Sequence, residues 1–355
     1  MKAGIKIICI LLGVVWYSNA QNKHLMYNTD IKQRINVVID NDFGGDPDGL
    51  FQLAHQVLSP SVNTKAIIGS QHYKNGFYGL PGDAKYACTQ ARELLRQMNL
   101  TDSIAVYEGA SEKMTNAETP IVTEGARIIV AEAMKADKKR PLYVLCGAGL
   151  TNIASAYLME PRIAERIILI WIGGPEYPDL TVIPEKMKNP EYNAGIDIKS
   201  VQTIFNKSDI PIWQIPRNTY RQALYSHAEL TLKFKNNGPT GTYLMKKLDE
   251  LFAKANYNLG ESYVLGDSPL VLFTALQSSW ESDPSSSLYV IKNKPTVNDK
   301  GQYTVSQTSG KIRVYTRLDT RLMLDDFYTK LCLYQLQTTG SNGNNTSTVK
   351  VQSNN

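Results

Sequence analysis

Apolar runs of strand length alternate with amphipathic segments along most of this chain. Four runs have the length and composition of buried strands: 35–40, 142–146, 166–172 and 210–215. Segments with helical periodicity lie after or between them: 48–58, 82–98, 121–136, 150–159, 198–206 and 241–255. Alternating strands and helices predict a mostly parallel sheet, and strands that are apolar throughout predict helices on both faces. The expected class is therefore α/β, with a Rossmann-like sheet flanked by helices.

The pattern changes towards the C-terminus. Residues 287–316 predict shorter strands, and 320–335 predict a final helix. No linker rich in Pro, Gly or Ser divides the chain before that helix ends, so residues 21–336 are predicted to form one domain. The segment 337–355 is polar and low in complexity, and it is predicted to be a disordered tail because it has little apolar area to bury.

The first twenty residues have the pattern of a targeting segment. Lys2 and Lys6 precede and flank an apolar run over 7–16, and Ser18-Asn19-Ala20 ends it with small residues. This pattern predicts a secretory signal peptide, residues 1–20, cut after Ala20. The run is shorter than the roughly 20 residues of a spanning helix. We therefore expect a secreted or periplasmic protein with no stable membrane insertion after cleavage.

Composition limits the classes of molecule that this protein is expected to bind. The net charge of the 355 residues is +5, and the Lys and Arg residues are scattered, which disfavours nucleic-acid binding. The cysteines left after cleavage are an odd, sparse set that predicts no disulfide framework: Cys88, Cys146 and Cys332. Four histidines and no Cys-x-x-Cys make zinc improbable. A small molecule is the expected partner, and the oligomeric state, a homo-oligomer included, is open.

Four aspartates follow the first apolar run, in the sequence IDNDFGGDPDGL: Asp40, Asp42, Asp46 and Asp48. In an open α/β sheet, ligands bind beyond the carboxyl ends of the strands, where this cluster is predicted to lie. Crowded carboxylates repel one another, and a hard cation such as Ca²⁺ would relieve the repulsion. The alternative is a solvated acidic loop in which Asp48 caps the next helix. Spacing alone leaves both interpretations open.

Four blocks of the sequence, taken together, resemble one known family. VVIDNDFGGDPDGLFQLA resembles the N-terminal signature of the inosine–uridine-preferring nucleoside hydrolases, and LYVLCGAGLTNIASAYLMEPRIAERIILIWIGG resembles their second signature. NPEYNAGIDIKSVQTIFNKSDIPIWQIP is similar to their Glu-aromatic-Asn segment, and YVLGDSPLVLFTAL to their late Asp-x-Pro-Leu segment. The blocks occur in the family's order over most of residues 34–280. The resemblance implies a single Rossmann-like domain that cleaves the N-glycosidic bond of a ribonucleoside or related N-riboside.

The resemblance also implies a Ca²⁺ at the strand ends. Asp42 would be both a Ca²⁺ ligand and the general base that takes a proton from the attacking, metal-bound water. Asp40 would be a buried catalytic acid supporting it. The Gly147 carbonyl and the Asp267 carboxylate would be further ligands. In the acidic loop, Asp46 or Asp48 would supply one more oxygen.

Substrate contacts follow from the same resemblance. Glu191 and Asn193 would bind the ribose hydroxyls, and Asp48 would bind the ribose diol. His72, in a loop after a strand, would line the substrate site. Each of these residues also has an ordinary explanation, as a helix cap or a loop residue.

The chain departs from the family pattern at two places. Where the family has a tandem Asp-Asp, this chain reads Asp46-Pro47-Asp48-Gly49, so one carboxylate ligand is missing from its usual position. Gly266 stands where many members have a histidine that protonates the leaving base. Tyr263, His72, Tyr73 or Arg221 could supply that proton from another loop.

Two other functions stay open from the sequence. Gly49 and Gly266 are consistent with a non-catalytic protein that binds a nucleoside or sugar on the same fold. The Asp-x-Asp after an apolar strand also resembles a haloacid-dehalogenase-like phosphatase, although Gly44 stands where that family usually has Thr or Val.

Overall fold

The computed structural model describes residues 31–73, 78–183, 187, 190–255, 259–277, 287–304 and 310–343, the last five by their backbone only. The predicted signal peptide, and residues 344–355 of the predicted tail, lie outside the described residues.

Eight strands form one sheet in the order β3-β2-β1-β4-β5-β6-β12-β9, and two antiparallel pairs, β7-β8 and β10-β11, stand apart from it. Neighbours in the large sheet are parallel except β12 and β9, which are antiparallel. The strands are β1 Ile35–Asn41, β2 Val62–Gly69, β3 Val106–Glu108, β4 Leu142–Cys146, β5 Ile167–Ile172, β6 Ile212–Ile215, β7 Leu224–Ser226, β8 Ser262–Val264, β9 Leu288–Asn293, β10 Thr296–Val297, β11 Tyr303–Thr304 and β12 Lys311–Arg317.

Helices connect and cover these strands. They are α1 Asp48–Val57, α2 Ala84–Gln97, α3 Glu124–Lys135, α4 Thr151–Met159, α5 Tyr192–Ile196, α6 Ile198–Gln202, α7 Arg217–Tyr220, α8 His227–Phe234, α9 Gly238–Lys254, α10 Pro269–Leu272 and α11 Thr320–Gly343. A 3₁₀ turn, Pro161–Glu165, precedes β5, and a π turn, Thr203–Lys207, continues α6. Among the described residues, no helix combines the length and the apolar character needed to cross a bilayer.

Alternate side chains of β1 enter two apolar cores, one on each face of the sheet. Val37 and Ile39 pack on the side of α1, α2, α9 and α11. Val38 packs on the opposite side, with α3, α4 and α6. This alternation places Asp40 on the same face as Val38, and Asp42 directly follows the last residue of the strand.

The strand order places the ends of β1 and β4 at a change of direction in the sheet. From β1 the chain builds β2 and β3 on one side, and from β4 it builds β5 and β6 on the other. Such a switch point leaves a crevice beyond the carboxyl ends of the two strands, because their connections leave in opposite directions. The aspartate cluster at the end of β1 and Gly147 at the end of β4 therefore meet at this crevice.

The predicted α/β class is confirmed, and the four predicted strands correspond to β1, β4, β5 and β6. The last helix is longer than predicted, because α11 runs to Gly343 and residues 337–343 belong to it instead of to a tail. Once the packed part of a helix has formed, each further residue adds one hydrogen bond, so polar residues can continue it.

His55, on α1, ties that helix to α11. The side chain is 1% exposed; its Nε2 lies 2.7 Å from Oδ2 of Asp326, and its ring stacks on Phe327 with 4.9 Å between ring centres. Burial lowers the pKa of His55 from about 6.5 to about 4, against the opposing effect of its hydrogen bond with Asp326. His55 is therefore a neutral packing residue, as its helical position predicts.

We expect the free energy of unfolding to fall as the pH drops from about 6.5 towards 4. The pKa of His55 is lower in the folded protein than in the unfolded chain. Its contribution to the free energy of unfolding is therefore complete above the unfolded pKa and is lost progressively on acidification. Urea unfolding at several pH values, compared with the His55→Gln variant, measures its share. Gln keeps an N–H for Asp326 but does not titrate. The wild type should lose more stability than the variant; equal losses would contradict the assignment.

Candidate active site

A cavity of about 630 Å³ opens at the carboxyl edge of the sheet, where the predicted site residues converge. Its wall combines carboxyl groups, tyrosines, a backbone carbonyl and one guanidinium. Among the described residues its wall includes Asp42, Asp46, Asp48, Glu191, Asp267, Gly147, Asn193, Tyr78, Tyr192, Tyr220, Tyr263, Gly266 and Arg221. These residues come from six separate parts of the chain, so the cavity is a product of the fold.

Asp40 lies behind the cavity wall in a closed hydrogen-bond network. It is fully buried, accepts a hydrogen bond from Ser70 Oγ, and accepts one from Asn152 Nδ2 at 3.1 Å. The Asn152 Oδ1 in turn accepts from the backbone N–H of Ala110 at 2.9 Å. Burial raises the pKa of Asp40 to about 6, and the bonds from Ser70 and Asn152 oppose that rise. Asp40 is thus a buried, hydrogen-bonded carboxyl group, and its predicted supporting role in catalysis stays a prediction.

Asn41 links the carboxylate of Asp267 to the backbone of Asp42. Its Nδ2 donates to Oδ2 of Asp267 at 2.9 Å, and its Oδ1 accepts the backbone N–H of Asp42 at 2.8 Å. Burial raises the pKa of Asp42 well above its usual range, and the carboxylates of Asp267 and Asp46 raise it further. Burial also raises the pKa of Asp267 to about 8. Removing these protons is costly unless a positive charge takes their place.

The acidic loop differs from the interpretation in which Asp48 caps the next helix. Pro47, not Asp48, occupies the N-cap position of α1, and no side chain caps that end. Asp48 is the first helical residue, and its Oδ1 accepts the N–H of Gly49 at 2.8 Å. Asp46 Oδ2 accepts the hydroxyl of Tyr263 at 2.5 Å. The prediction that Asp48 caps the helix is therefore wrong, because Pro47 has no side-chain acceptor and Asp48 lies one position too late.

Gly147 and Gly49 both face the amide of Asn41. A Cβ on Gly147 would lie 2.5 Å from Asn41 Nδ2 and 2.7 Å from Asp267 Oδ1, so only glycine permits this approach. A Cβ on Gly49 would lie 3.1 Å from Asn41 Nδ2. Beside Gly49, where the family has its second tandem aspartate, an amide therefore fills the space next to the buried carboxylates.

Glu191 and Asn193 reach the cavity from the start of α5. The fully buried Glu191 caps that helix, accepting the N–H of Ala194 at 3.0 Å, the N–H of Gly174 at 2.7 Å and the hydroxyl of Tyr220 at 2.8 Å. Asn193 Nδ2 donates to the Gly147 carbonyl at 3.1 Å. Glu191 is therefore rigidly held, and a ribose hydroxyl would compete with Tyr220 for it.

His72 lies apart from the cavity wall. It is 2% exposed, and its Nε2 lies 3.0 Å from the carbonyl of Pro81. Tyr73 next to it packs edge-on against Tyr192, with 4.9 Å between ring centres. His72 is not among the described residues that line the cavity, and its predicted substrate contact stays a prediction.

Sequence reasoning passed over Asn41, Tyr192, Tyr220 and Tyr78. The first two stand between residues that it did select, Asn41 between Asp40 and Asp42 and Tyr192 between Glu191 and Asn193. The signal that could have identified them is their position: each is a polar or aromatic residue between two predicted site residues. Tyr220 carried no such signal, because it follows the apolar strand β6 in an unremarked segment.

The donors of the cavity suit a hard cation in chemistry. Carboxylates and a carbonyl are the ligands that Ca²⁺ takes. Burial is the largest cause of the raised pKa values of Asp42, Asp48 and Asp267, and neighbouring carboxylates raise each of them further. Within the described part of the chain, however, no three His, Cys, Asp or Glu side chains are gathered tightly enough to hold a metal ion by themselves. The predicted ligand set, Asp42, Asp46, Asp48, Gly147 and Asp267, stays a prediction.

Three solved structures illustrate the fold similarity. A purine-preferring ribonucleoside hydrolase from Gardnerella vaginalis is 18% identical, with a TM-score of 0.66 over 85% of this chain and 99% of that one. A plant nucleoside hydrolase, the PpNRh1 enzyme, is 16% identical, with a TM-score of 0.65 over 84% and 99%. An inosine-uridine preferring nucleoside hydrolase from Bacillus anthracis is 14% identical, with a TM-score of 0.61 over 84% and 99%.

A search of curated protein sequences gives no match. The family model of the inosine-uridine preferring nucleoside hydrolases, in contrast, matches residues 37–325. That range includes every residue assigned to the cavity wall. It contains all four sequence blocks and the whole of the large sheet apart from the first residues of β1. On this match, the chain belongs to the inosine-uridine preferring nucleoside hydrolase family.

Proposed function

We propose that this protein hydrolyses the N-glycosidic bond of a ribonucleoside, with Asp42 as the general base and a Ca²⁺ at the cavity floor. The family consists of enzymes, and its fold supports ribonucleoside hydrolysis in general. One observation supports the finer assignment: Asp42, Asp267 and the Gly147 carbonyl, which are far apart in sequence, border one cavity. The family match gives no support to the phosphatase alternative.

Different residues of the cavity would have different roles in this reaction. Asp42, 7% exposed and next to other carboxylates, is a strong proton acceptor once ionised, because its pKa is raised. Asp267 and Asp48 place negative charge beside the sugar, which stabilises the oxocarbenium character that develops as the C–N bond breaks. Asn193 Nδ2 donates hydrogen bonds to the carbonyls of Gly147 and Ile172, at 3.1 and 2.8 Å. Its Oδ1 would then accept a hydrogen bond from a ribose hydroxyl.

A cation would be held by Asp42, Asp267 and the Gly147 carbonyl, with Asp48 as the better placed of the two loop acids. Asp46 is instead bonded to Tyr263. When bound, Ca²⁺ would orient the attacking water and the sugar diol and lower the pKa of that water. The carboxylates would then be ionised, since a neighbouring cation offsets the cost of their burial.

Ca²⁺ should bind the purified protein in a one-to-one ratio and raise its melting temperature. The reason is that buried carboxylates with raised pKa values lose their mutual repulsion when the cation binds. Metal analysis of protein purified without chelator, and thermal unfolding with EDTA or added Ca²⁺, measure both effects. Asp267→Asn serves as the matched variant and should lose most of the shift. A protein with no Ca²⁺ and no shift would overturn the cation assignment.

The activity itself is tested with a panel of nucleosides and Ca²⁺, by an assay for free ribose. Release of ribose that is lost in EDTA supports the proposal. Calorimetric binding of a nucleoside with no release of base would instead select the non-catalytic binding protein, which Gly49 and Gly266 keep open as the second candidate.

We also propose that the mature protein begins near Gln21 and is exported, because its tripartite N-terminus has the pattern of a signal peptide cut after Ala20. Expression of the full chain in a bacterium, followed by intact-mass measurement of the periplasmic fraction, tests this. A full-length precursor confined to the cytosol would refute it.

A further inference from the structure

The cavity is both strongly acidic and strongly aromatic. Among the described residues that line it, five carry carboxyl groups, four are tyrosines and one, Arg221, is basic. A bound divalent cation and Arg221 together would offset three of the five negative charges. Asp46, which is not among the predicted ribose contacts, accepts the hydroxyl of the aromatic Tyr263 in the same wall. A ligand that carried a positive charge would find both carboxylates and aromatic faces there.

The same wall offers few protons to a departing base. Tyr220 donates its hydroxyl proton to Glu191 at 2.8 Å, and Tyr263 donates its own to Asp46 at 2.5 Å. Arg221 is not an acid near neutral pH. No histidine or lysine is found among the described residues that line the cavity. The two tyrosines can accept a hydrogen bond from a base, but their hydroxyl protons are already donated to Glu191 and Asp46.

From these two features we propose that the preferred substrates are ribonucleosides whose base is a cationic heterocycle, such as N-ribosylpyridinium compounds or N7-alkylated purine ribosides. This inference rests on the proposed hydrolase function. Water oxygen forms the new bond to C1′, and the C1′–N bond breaks. Its electron pair goes to the ring nitrogen and neutralises the positive charge of the base. The water proton goes to Asp42, so the products are ribose, a neutral base and one proton.

Such a base needs no acid, whereas in the described part of the wall the hydroxyls of Tyr220 and Tyr263 already donate to carboxylates. A neutral purine must gain a proton as it leaves, and a positioned acid contributes roughly 10² to 10⁴ in rate. Attraction of a cation to an aromatic face lowers KM by about two- to thirty-fold. Attraction to exposed carboxylates is screened by salt, so that part of the preference depends on ionic strength.

The test compares three substrates with the Ca²⁺-loaded protein: inosine, 7-methylinosine and 4-nitrophenyl riboside. Each kcat/KM is divided by the spontaneous hydrolysis rate of the same substrate, because methylation and nitrophenolate both make the bond intrinsically weaker. We expect 7-methylinosine to have a KM about two- to thirty-fold below that of inosine. We expect this KM, and not that of inosine, to rise between low and high salt.

A pair of variants separates the aromatic face from the fold. Tyr263→Phe keeps the ring and Tyr263→Leu removes it. The KM for 7-methylinosine should stay within a few-fold in the first and rise in the second, and in the second it should rise by a larger factor than the KM for inosine does. If Tyr263→Leu does not fold, the salt dependence decides. Equal KM values for the two purine ribosides, with no salt effect, would overturn the inference; no hydrolysis of any substrate would overturn the proposed function instead.

Discussion

Replacing Asp42 by Asn should reduce kcat by roughly 10² to 10⁴, the usual contribution of a positioned general base. Asn has the shape of Asp and keeps one oxygen that can face a cation, but it cannot take a proton near neutral pH. Asp42 is nearly buried at the end of β1, beside Asp267 and Asp46, so few other groups could replace it. Initial rates of ribose release at saturating substrate and Ca²⁺ measure the loss.

The stability of the Asp42→Asn variant provides its control. Burial first, and then the carboxylates of Asp267 and Asp46, raise the pKa of Asp42 above its usual value. A carboxyl group whose folded pKa is raised destabilises the protein increasingly as the pH rises above its unfolded pKa. The variant should therefore be at least as stable as the wild type in EDTA at neutral pH. Wild-type turnover in a folded variant would show that the base has been assigned to the wrong residue.

4-Nitrophenyl riboside should be cleaved faster than inosine by a factor of roughly 10² to 10⁴ in kcat/KM. Nitrophenolate leaves without a proton, whereas a purine needs one. Gly266 has no side chain to provide it, and a Cβ there would lie 3.2 Å from Asp48 Oδ2 and 3.3 Å from Tyr220 Cδ2, so larger side chains would have to displace these groups. The hydroxyls of Tyr220 and Tyr263 already donate to carboxylates.

The pH dependence of the hydrolysis of the two substrates provides a second test of this prediction. Hydrolysis of the nitrophenyl compound should depend on the ionisation of the base alone, with a single rise in kcat. Equal kcat/KM values for inosine and the nitrophenyl riboside, with a falling alkaline limb for inosine only, would mean that another acid reaches the base. Tyr263→Phe would then identify or exclude the Tyr263 hydroxyl as that acid.

The sequence could predict the frame of the fold because burial leaves a direct pattern. Strands such as β4 and β5 are apolar at nearly every position, since both faces of the sheet are covered. The position of the acidic cluster could also be predicted, because it follows the apolar run of β1 directly. The extent of α11 could not, because its last residues are polar and follow from continuation of a helix that is packed earlier in the chain.

The candidate site was only partly predictable from sequence. Asp42 and Asp267 could be selected because each follows or precedes a regular element within a recognisable block. The bond from Asn41 to Asp267 spans 226 residues of chain, and that from Tyr263 to Asp46 spans 217, so no local pattern reveals either. That the hydroxyl of Tyr263 already donates to Asp46 is therefore evident only when the fold brings these distant segments together.

We propose that the acidic end of β1 is a hydrolytic centre organised around a cation. The rate of 4-nitrophenyl riboside hydrolysis by the purified mature protein, as a function of free Ca²⁺, tests this most directly. We expect no release of nitrophenolate in EDTA, and a saturable recovery on adding Ca²⁺ that is absent in Asp42→Asn. Release that is independent of Ca²⁺, or no release at any Ca²⁺ concentration, would contradict it.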